Sequence, residues 1–221
     1  MQALEFIRHL DDKIAGLIQV SPPLAYLALF LIIFAETGLV IMPFLPGDTL
    51  LFAAGIFAHP EKNGFNVWLL LFLLTLAPLL GDTVNYHLGK WLGPKLFKNE
   101  NSKIFKRSHL LATQEFFEKH GPKTVIIARW IPIVRTFAPF VAGMGAMEYK
   151  RFFSYSLLGA FLWVWICVWA GYLLGGIPFF KDHFEGVMLA MMVITGGPVV
   201  FEAIKHRIAA KKKAAAAATE A

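Results

Sequence analysis

The chain has 221 residues, of which 57% are hydrophobic and 16% charged, and its formal net charge is +6. Soluble domains are about 45–50% apolar, so this composition excludes an ordinary soluble domain and indicates one integral membrane domain. The single cysteine, Cys167, excludes an internal disulfide.

The chain ends differ in composition from the long middle section. Residues 1–20 mix charges with apolar residues at helical spacing, which predicts an amphipathic helix lying on the membrane and not a cleavable signal peptide. Residues 21–205 form the predicted membrane domain. Residues 206–221 form a basic, low-complexity tail that we predict to be disordered.

The first broken segment, residues 24–58, is a long apolar stretch that is interrupted at Pro43 and Pro46. It carries two acidic residues, Glu36 and Asp48. Proline removes a backbone hydrogen bond that lipid cannot replace. The segment could span the membrane once with a long tail, or enter the membrane, turn at the prolines and leave on the same side, and we predict the second arrangement.

The second broken segment, residues 124–147, has the same form with the opposite charge. It carries Arg129 and Arg135, with Pro132 and Pro139 beside them. We expect a second re-entrant hairpin here.

Three further stretches are apolar and about as long as the roughly 20 residues that a membrane-spanning helix needs, or longer. They are residues 65–91, 152–174 and 186–204. Lysine and arginine are concentrated in residues 93–121 and near the C-terminus, which places both regions in the cytoplasm. In this topology the two broken segments enter from opposite faces. The predicted fold is therefore an all-α membrane protein with an inverted repeat, two re-entrant hairpins facing each other and about three spanning helices.

Short glycine motifs support the repeat, since Tyr86-His-Leu-Gly89 is similar to Tyr172-Leu-Leu-Gly175. Small residues in membrane helices allow backbones to approach closely. We predict this role for Gly81, Gly89, Gly93, Gly171 and Gly175.

Charge within the membrane costs about 2.5–3.5 kcal/mol per residue, so it indicates a functional site. If the two hairpin tips meet, Glu36 and Asp48 face two guanidiniums. We predict that Arg129 and Arg135 bind an anionic substrate, because arginine captures phosphate in a bidentate way. Glu36 and Asp48 would couple it to protons. Asp82 either extends this proton path or bonds the neighbouring hairpin. The alternative is a set of ion pairs that only fixes the hairpins.

Other ligand classes have weak support in the sequence. The histidines lack metal-ligand spacing and there is no Gly-rich nucleotide loop, so we predict no metal and no cofactor. The lysine clusters indicate topology, not nucleic-acid binding. Trp163, Trp165 and Trp169 are predicted to face lipid or to pack.

The order of these motifs resembles the DedA family, small bacterial inner-membrane proteins related to eukaryotic proteins with the VTT or SNARE-associated Golgi domain. The resemblance covers residues 20–205. It rests on Glu36…Pro43-Phe-Leu-Pro46-Gly47-Asp48, Gly81…Tyr86…Gly89…Gly93, Phe116-Phe-Glu-Lys-His-Gly121 and Arg129…Pro132…Arg135…Pro139…Gly143.

The resemblance implies two facing re-entrant hairpins and movement of lipid between leaflets. For bacterial members it implies recycling of undecaprenyl phosphate, dependent on the proton-motive force. By motif position, Glu36, Asp48, Arg129 and Arg135 match the essential charges of the family.

The sequence therefore predicts a multi-pass inner-membrane lipid transporter that is not an enzyme. Its partners would be a lipid with a phosphate head group and protons, with no nucleic acid. Three alternatives stay open: a non-selective phospholipid scramblase or proton–ion antiporter, a membrane-embedded lipid-phosphate phosphatase, and a purely structural membrane protein. The sequence does not indicate the oligomeric state.

Overall fold

The computed structural model describes residues 16–38, 47–61, 64–96, 117, 121–130, 132–177, 186–187 and 190. All regular structure within these ranges is helical, as predicted. Residues 16–20 of the predicted N-terminal helix are helical, and the rest of that helix lies outside the described residues. Most of the basic segment 93–121, most of the predicted span 186–204 and the whole tail 206–221 also lie outside them.

Besides residues 16–20 and a few single helical positions, six α-helices and one short π-helix build the described part of the chain. They are α1 (Pro22–Gly38), α2 (Gly47–Phe57), α3 (Val67–Leu96), α4 (Lys123–Ala128), α5 (Pro132–Val141), the π-helix (Ala142–Ala146) and α6 (Tyr149–Leu174). Of the described helices, α3 and α6 are long and apolar enough to cross a membrane. At about 1.5 Å per residue their lengths are roughly 45 and 39 Å.

Each broken segment consists of separate helices, as predicted, but only one of the prolines in the second segment marks a helix boundary. Pro132 is the first residue of α5, a position where its fixed φ favours a helix start. Pro139 lies inside α5 and does not end it. The chain instead widens into the π-helix after Val141 and leaves helical geometry at Gly145, where φ is +113°.

The helices pack in the same pattern twice. The first helix of each broken segment packs on the long helix that follows it, so α1 contacts α3 and α4 contacts α6. The last part of each broken segment packs on the long helix of the other half. Thus α2 contacts α6, while α5 and the π-helix contact α3. This is the packing pattern that an internal repeat of about half the domain would produce.

Glycines allow backbone contact where α2 crosses α6. A Cβ atom on Gly55 would lie 2.2 Å from the carbonyl oxygen of Val168. In the reverse direction, a Cβ on Gly171 would lie 2.0 Å from the carbonyl oxygen of Phe52. Real Cβ atoms do not approach this closely, so only glycine fits on either side of the crossing.

The equivalent crossing of the π-helix on α3 uses Gly143 and Gly89. A Cβ on either would lie 1.9 Å from a backbone carbonyl oxygen of the opposing segment. This contact makes Gly89 equivalent to Gly171, so the sequence match of Gly89 with Gly175 is wrong by one helical turn. The predicted close contacts of Gly81, Gly93 and Gly175 are also present.

The apolar core is divided into two clusters that share α3 and α6. Along α3, Ala77 belongs to the first cluster and Tyr86 to the second. Along α6, Phe152 belongs to the second cluster and Trp163 to the first. The stretches of both helices between these residues carry buried polar side chains.

Candidate functional site

The five charged residues singled out in the sequence are all buried in the structure. Their exposed fractions are 0% for Glu36, 9% for Asp48, 3% for Asp82, 5% for Arg129 and 8% for Arg135. Three are contributed by α1, α2 and α3, one by α5, and Arg129 directly follows α4. The two halves of the repeat therefore meet at a buried charged cluster.

Arg135 joins both acidic residues of the first broken segment. Its Nη1 donates to Asp48 Oδ1 at 2.9 Å, and its Nη2 donates to Glu36 Oε1. The indole Nε1 of Trp163 donates to the same Asp48 oxygen at 2.8 Å. The guanidinium carbon also lies 5.0 Å from the centre of the Trp163 ring, within range of a cation–π interaction. One guanidinium thus donates hydrogen bonds to two carboxylates.

Arg129 forms a second group with Asp82 and Ser156. Its Nη2 donates to Asp82 Oδ2, to Ser156 Oγ at 3.0 Å and to the Ser156 carbonyl oxygen at 3.3 Å. The Ser156 hydroxyl donates to Asp82 at 2.5 Å. Each charge in this group has one opposite charge, so the group is electrically balanced.

This pairing differs from the simplest sequence expectation, in which two carboxylates face two guanidiniums. Glu36 and Asp48 both contact Arg135, whereas Arg129 pairs with Asp82. Two roles were open for Asp82, a proton path or a bond to a neighbouring hairpin. The structure shows a bond to Arg129 of the second broken segment.

Two glycines make room for these long side chains. A Cβ on Gly47, the first residue of α2, would lie 1.8 Å from Glu36 Oε2. A Cβ on Gly159 of α6 would lie 2.9 Å from both Cδ and Nε of Arg129. Any larger residue at either position would displace a charged side chain from its partner.

Asn85 connects the two broken segments directly. Its Nδ2 donates to the Thr136 carbonyl oxygen at 2.7 Å and to the Thr37 carbonyl oxygen at 3.3 Å. Asn85 is fully buried, and its Oδ1 has no hydrogen-bond partner among the described residues. It therefore ties the end of α1 to α5 across α3.

The sequence reasoning did not assign Trp163, Ser156 or Asn85 to the site. Trp163 packs in the buried core, one of the two roles predicted for it, and its hydrogen bond to Asp48 adds it to the site. Buried indole N–H groups usually have a hydrogen-bond partner, but three tryptophans share this helix and no signal separates them. Asn85 could have been assigned to the site from the sequence, because it lies three residues after Asp82 and both are polar residues within an apolar helix.

Chemically, the described site offers hydrogen-bond donors and acceptors and a set of fixed charges. Three carboxylates and two guanidiniums are buried there, and no other charged residue is buried among those whose side-chain burial the structure describes. No group of His, Cys, Asp or Glu side chains in the same ranges is arranged to hold a metal ion.

Comparison with known proteins assigns the class. The VTT domain matches residues 45–173, a range that contains four of the five charged site residues. The helical fold with a buried charged site is thus that of a VTT-domain membrane protein.

Relatives narrow this class to a family. The chain is 49% identical to protein DedA of Escherichia coli (strain K12) over 211 residues, which cover 96% of both chains. It is 36% identical to the inner membrane protein YqjA of the same organism over 79% of this chain and 77% of YqjA. It is 39% identical to an uncharacterized membrane protein of Mycobacterium leprae over 80% and 78% of the two chains. No solved structure matches. The chain belongs to the DedA family of membrane proteins.

Proposed function

We propose that this protein moves an anionic lipid with a phosphate head group between the leaflets of the bacterial inner membrane, coupled to protons and without hydrolysis. Undecaprenyl phosphate is the substrate that the family resemblance implies. The observation that carries the proposal is the burial of Arg135 between Glu36 and Asp48 where the two halves meet. A buried guanidinium can hold a phosphate, and buried carboxylates can carry protons.

The position of the site along the long helices supports transport across the membrane. Asp82 lies near the middle of α3, a helix of 30 residues. If α3 spans the membrane, the charged cluster lies close to the mid-plane. Binding at the mid-plane between two repeats is typical of secondary transporters.

The proposal includes two re-entrant hairpins that enter from opposite faces. Helix α2 has only 11 residues and α5 only 10, too few to span a membrane. The repeated packing pattern agrees with this arrangement. It can be tested by labelling single cysteines at the exposed positions Glu61 and Lys150 in a Cys167→Ala background. Label should reach position 61 from the periplasm and position 150 from the cytoplasm, and label reaching both from one side would contradict the topology.

The decisive experiment is leaflet-resolved lipid transport in proteoliposomes with and without an imposed pH gradient. Undecaprenyl phosphate, an anionic phospholipid and a zwitterionic phospholipid should be compared at equal protein density. We expect faster movement of the phosphate lipid, accelerated by the gradient. Equal movement of all three lipids without gradient dependence would favour a scramblase instead. Release of inorganic phosphate would favour a phosphatase, and gradient-driven ion flux with no lipid movement would favour an antiporter.

The double variant Glu36→Gln/Asp48→Asn tests whether these carboxylates couple lipid movement to protons or only maintain the structure of the site. The amides keep the size of the carboxylates and can still hydrogen-bond, but they cannot take up and release a proton. We expect this variant to lose the acceleration produced by the gradient. Exposed His87 lies outside the charged cluster, so His87→Gln is the matched control. Unchanged gradient dependence in the double variant would contradict the coupling role.

A further inference from the structure

The charges of the buried cluster do not balance. Three carboxylates lie with two guanidiniums, and Arg129 with Asp82 already accounts for one of each. The imbalance is therefore in the Arg135 group, where Glu36 and Asp48 share one cation. An isolated buried charge is so unfavourable that the group usually takes its neutral form. The Arg135 group is neutral when one proton is held by its two carboxylates.

An anion cannot be added to this group without further adjustment. Both terminal nitrogens of Arg135 already donate to carboxylates. A guanidinium has five N–H donors, and the Nε of Arg135 has no hydrogen-bond partner among the described residues. A phosphate that binds through Nε and a terminal nitrogen therefore competes with Glu36 and Asp48 for the charge of Arg135. The bound anion and the two carboxylates would then share one cation, which leaves one negative charge beyond the one that the resting proton neutralises. Like charges at this distance and burial favour the protonated acids.

The groups that surround Arg135 leave few other ways to compensate the charge. The neighbouring titratable or charged groups are Glu36 on α1, Asp48 on α2, Asp82 on α3, Arg129 after α4 and Cys167 on α6. Asp82 and Arg129 neutralise each other, and a thiol is neutral in its protonated form. Asp48 also accepts a hydrogen bond from the Trp163 indole.

We propose that a phosphate anion and one proton bind this site together, the anion sharing Arg135 with the two carboxylates and the proton neutralising the carboxylate that is left charged. Arg129 stays paired with Asp82 and does not exchange. The inference rests on the proposed function, because it assumes a phosphate lipid as substrate. It adds two properties of the coupling. Binding of the anion and of the proton is cooperative, and one proton binds per anion. The two would therefore move in the same direction.

The linkage can be measured with a probe whose own charge is fixed. Decyl methyl phosphate is a phosphodiester with one negative charge at every pH used, so any proton taken up on binding belongs to the protein. Titration calorimetry of the purified protein in two buffers of different ionisation enthalpy gives the number of protons bound per anion. We expect about one proton, and an affinity that falls about tenfold for each unit of rising pH, because each proton bound contributes one unit of slope.

Variants test whether the proton taken up on anion binding is bound by Glu36 or Asp48. Glu36→Gln or Asp48→Asn alone removes the resting proton but leaves one carboxylate on Arg135, so each should still take up one proton. The double variant leaves Arg135 without a carboxylate. It should bind the anion with no proton uptake, with an affinity that does not change with pH. The His87→Gln control should behave as the parent does.

The outcomes distinguish this inference from the proposed function. Lipid transport in proteoliposomes from the same preparation, together with anion binding that takes up no proton in the parent, would overturn the inference alone. Transport without any binding of the diester would also overturn it. Absence of lipid transport in the parent would overturn the proposed function. Dimethyl phosphate has the same head group without the chain. Equal affinity for it would overturn the lipid as the source of the anion.

Discussion

Removing one charge of the Arg129–Asp82 pair should destabilise the protein more than removing both. Arg129→Met leaves the Asp82 carboxylate buried without its cation, and Asp82→Asn leaves the guanidinium without its anion. Breaking a buried pair in this way costs about 3–5 kcal/mol. The double variant removes the pair as a unit, which is often close to neutral, and loses the two hydrogen bonds from Arg129 to Ser156, at about 0.5–1.5 kcal/mol each. It should therefore be more stable than either single variant by about 2 kcal/mol.

The measurement is reversible unfolding in mixed micelles with increasing SDS, followed by far-UV circular dichroism. Ser156→Ala is the matched control, because it removes the hydroxyl and leaves both charges in place. If the destabilisation of the double variant equals the sum of the two single values, the residues do not form a coupled pair and the assignment of Arg129 as a fixed structural partner is refuted.

Three further variants test other contacts. Arg135→Lys should reduce lipid transport about 10- to 150-fold, near the level of Arg135→Ala. One ammonium cannot reproduce both contacts of the guanidinium, and a charged hydrogen bond contributes about 1.5–3 kcal/mol; a fully active lysine variant would contradict bidentate binding. Gly171→Ala should lower the free energy of unfolding by about 1–3 kcal/mol through overpacking against α2, whereas Gly16→Ala, with open space around it, should not; equal values would contradict the close crossing. Asn85→Leu should cost about 1–3 kcal/mol in the same assay, because two hydrogen bonds between the broken segments are lost; an unchanged value would show that this link does not matter.

The charged residues of the site could be found in the sequence because charge within apolar segments is rare and conspicuous. Their partners could not, because pairing depends on how separate helices cross. Arg129 and Arg135 belong to one apolar stretch in the sequence, but α4 ends before Arg129 and α5 begins after it. Arg129 therefore reaches Asp82 and Ser156, while Arg135 reaches α1 and α2.

The glycines show a similar limit. Their small size predicts close helix contact wherever they occur, and the structure confirms this at α3 and α6. The register of the repeat could not be read from them, because glycines spaced four residues apart lie on the same helix face. Gly171 and Gly175 both contact α2, and only the reciprocal backbone contacts identify which of them corresponds to Gly89.

The exchange of α2 onto α6, and of α5 with the π-helix onto α3, means that the two halves are interleaved. Separating them as rigid bodies would break both glycine crossings and both ion-pair groups at once. A rocking motion of one half against the other is therefore a costly way to open a path for a lipid. If the protein moves a lipid, a path that leaves both crossings closed needs a local opening within an otherwise stationary frame.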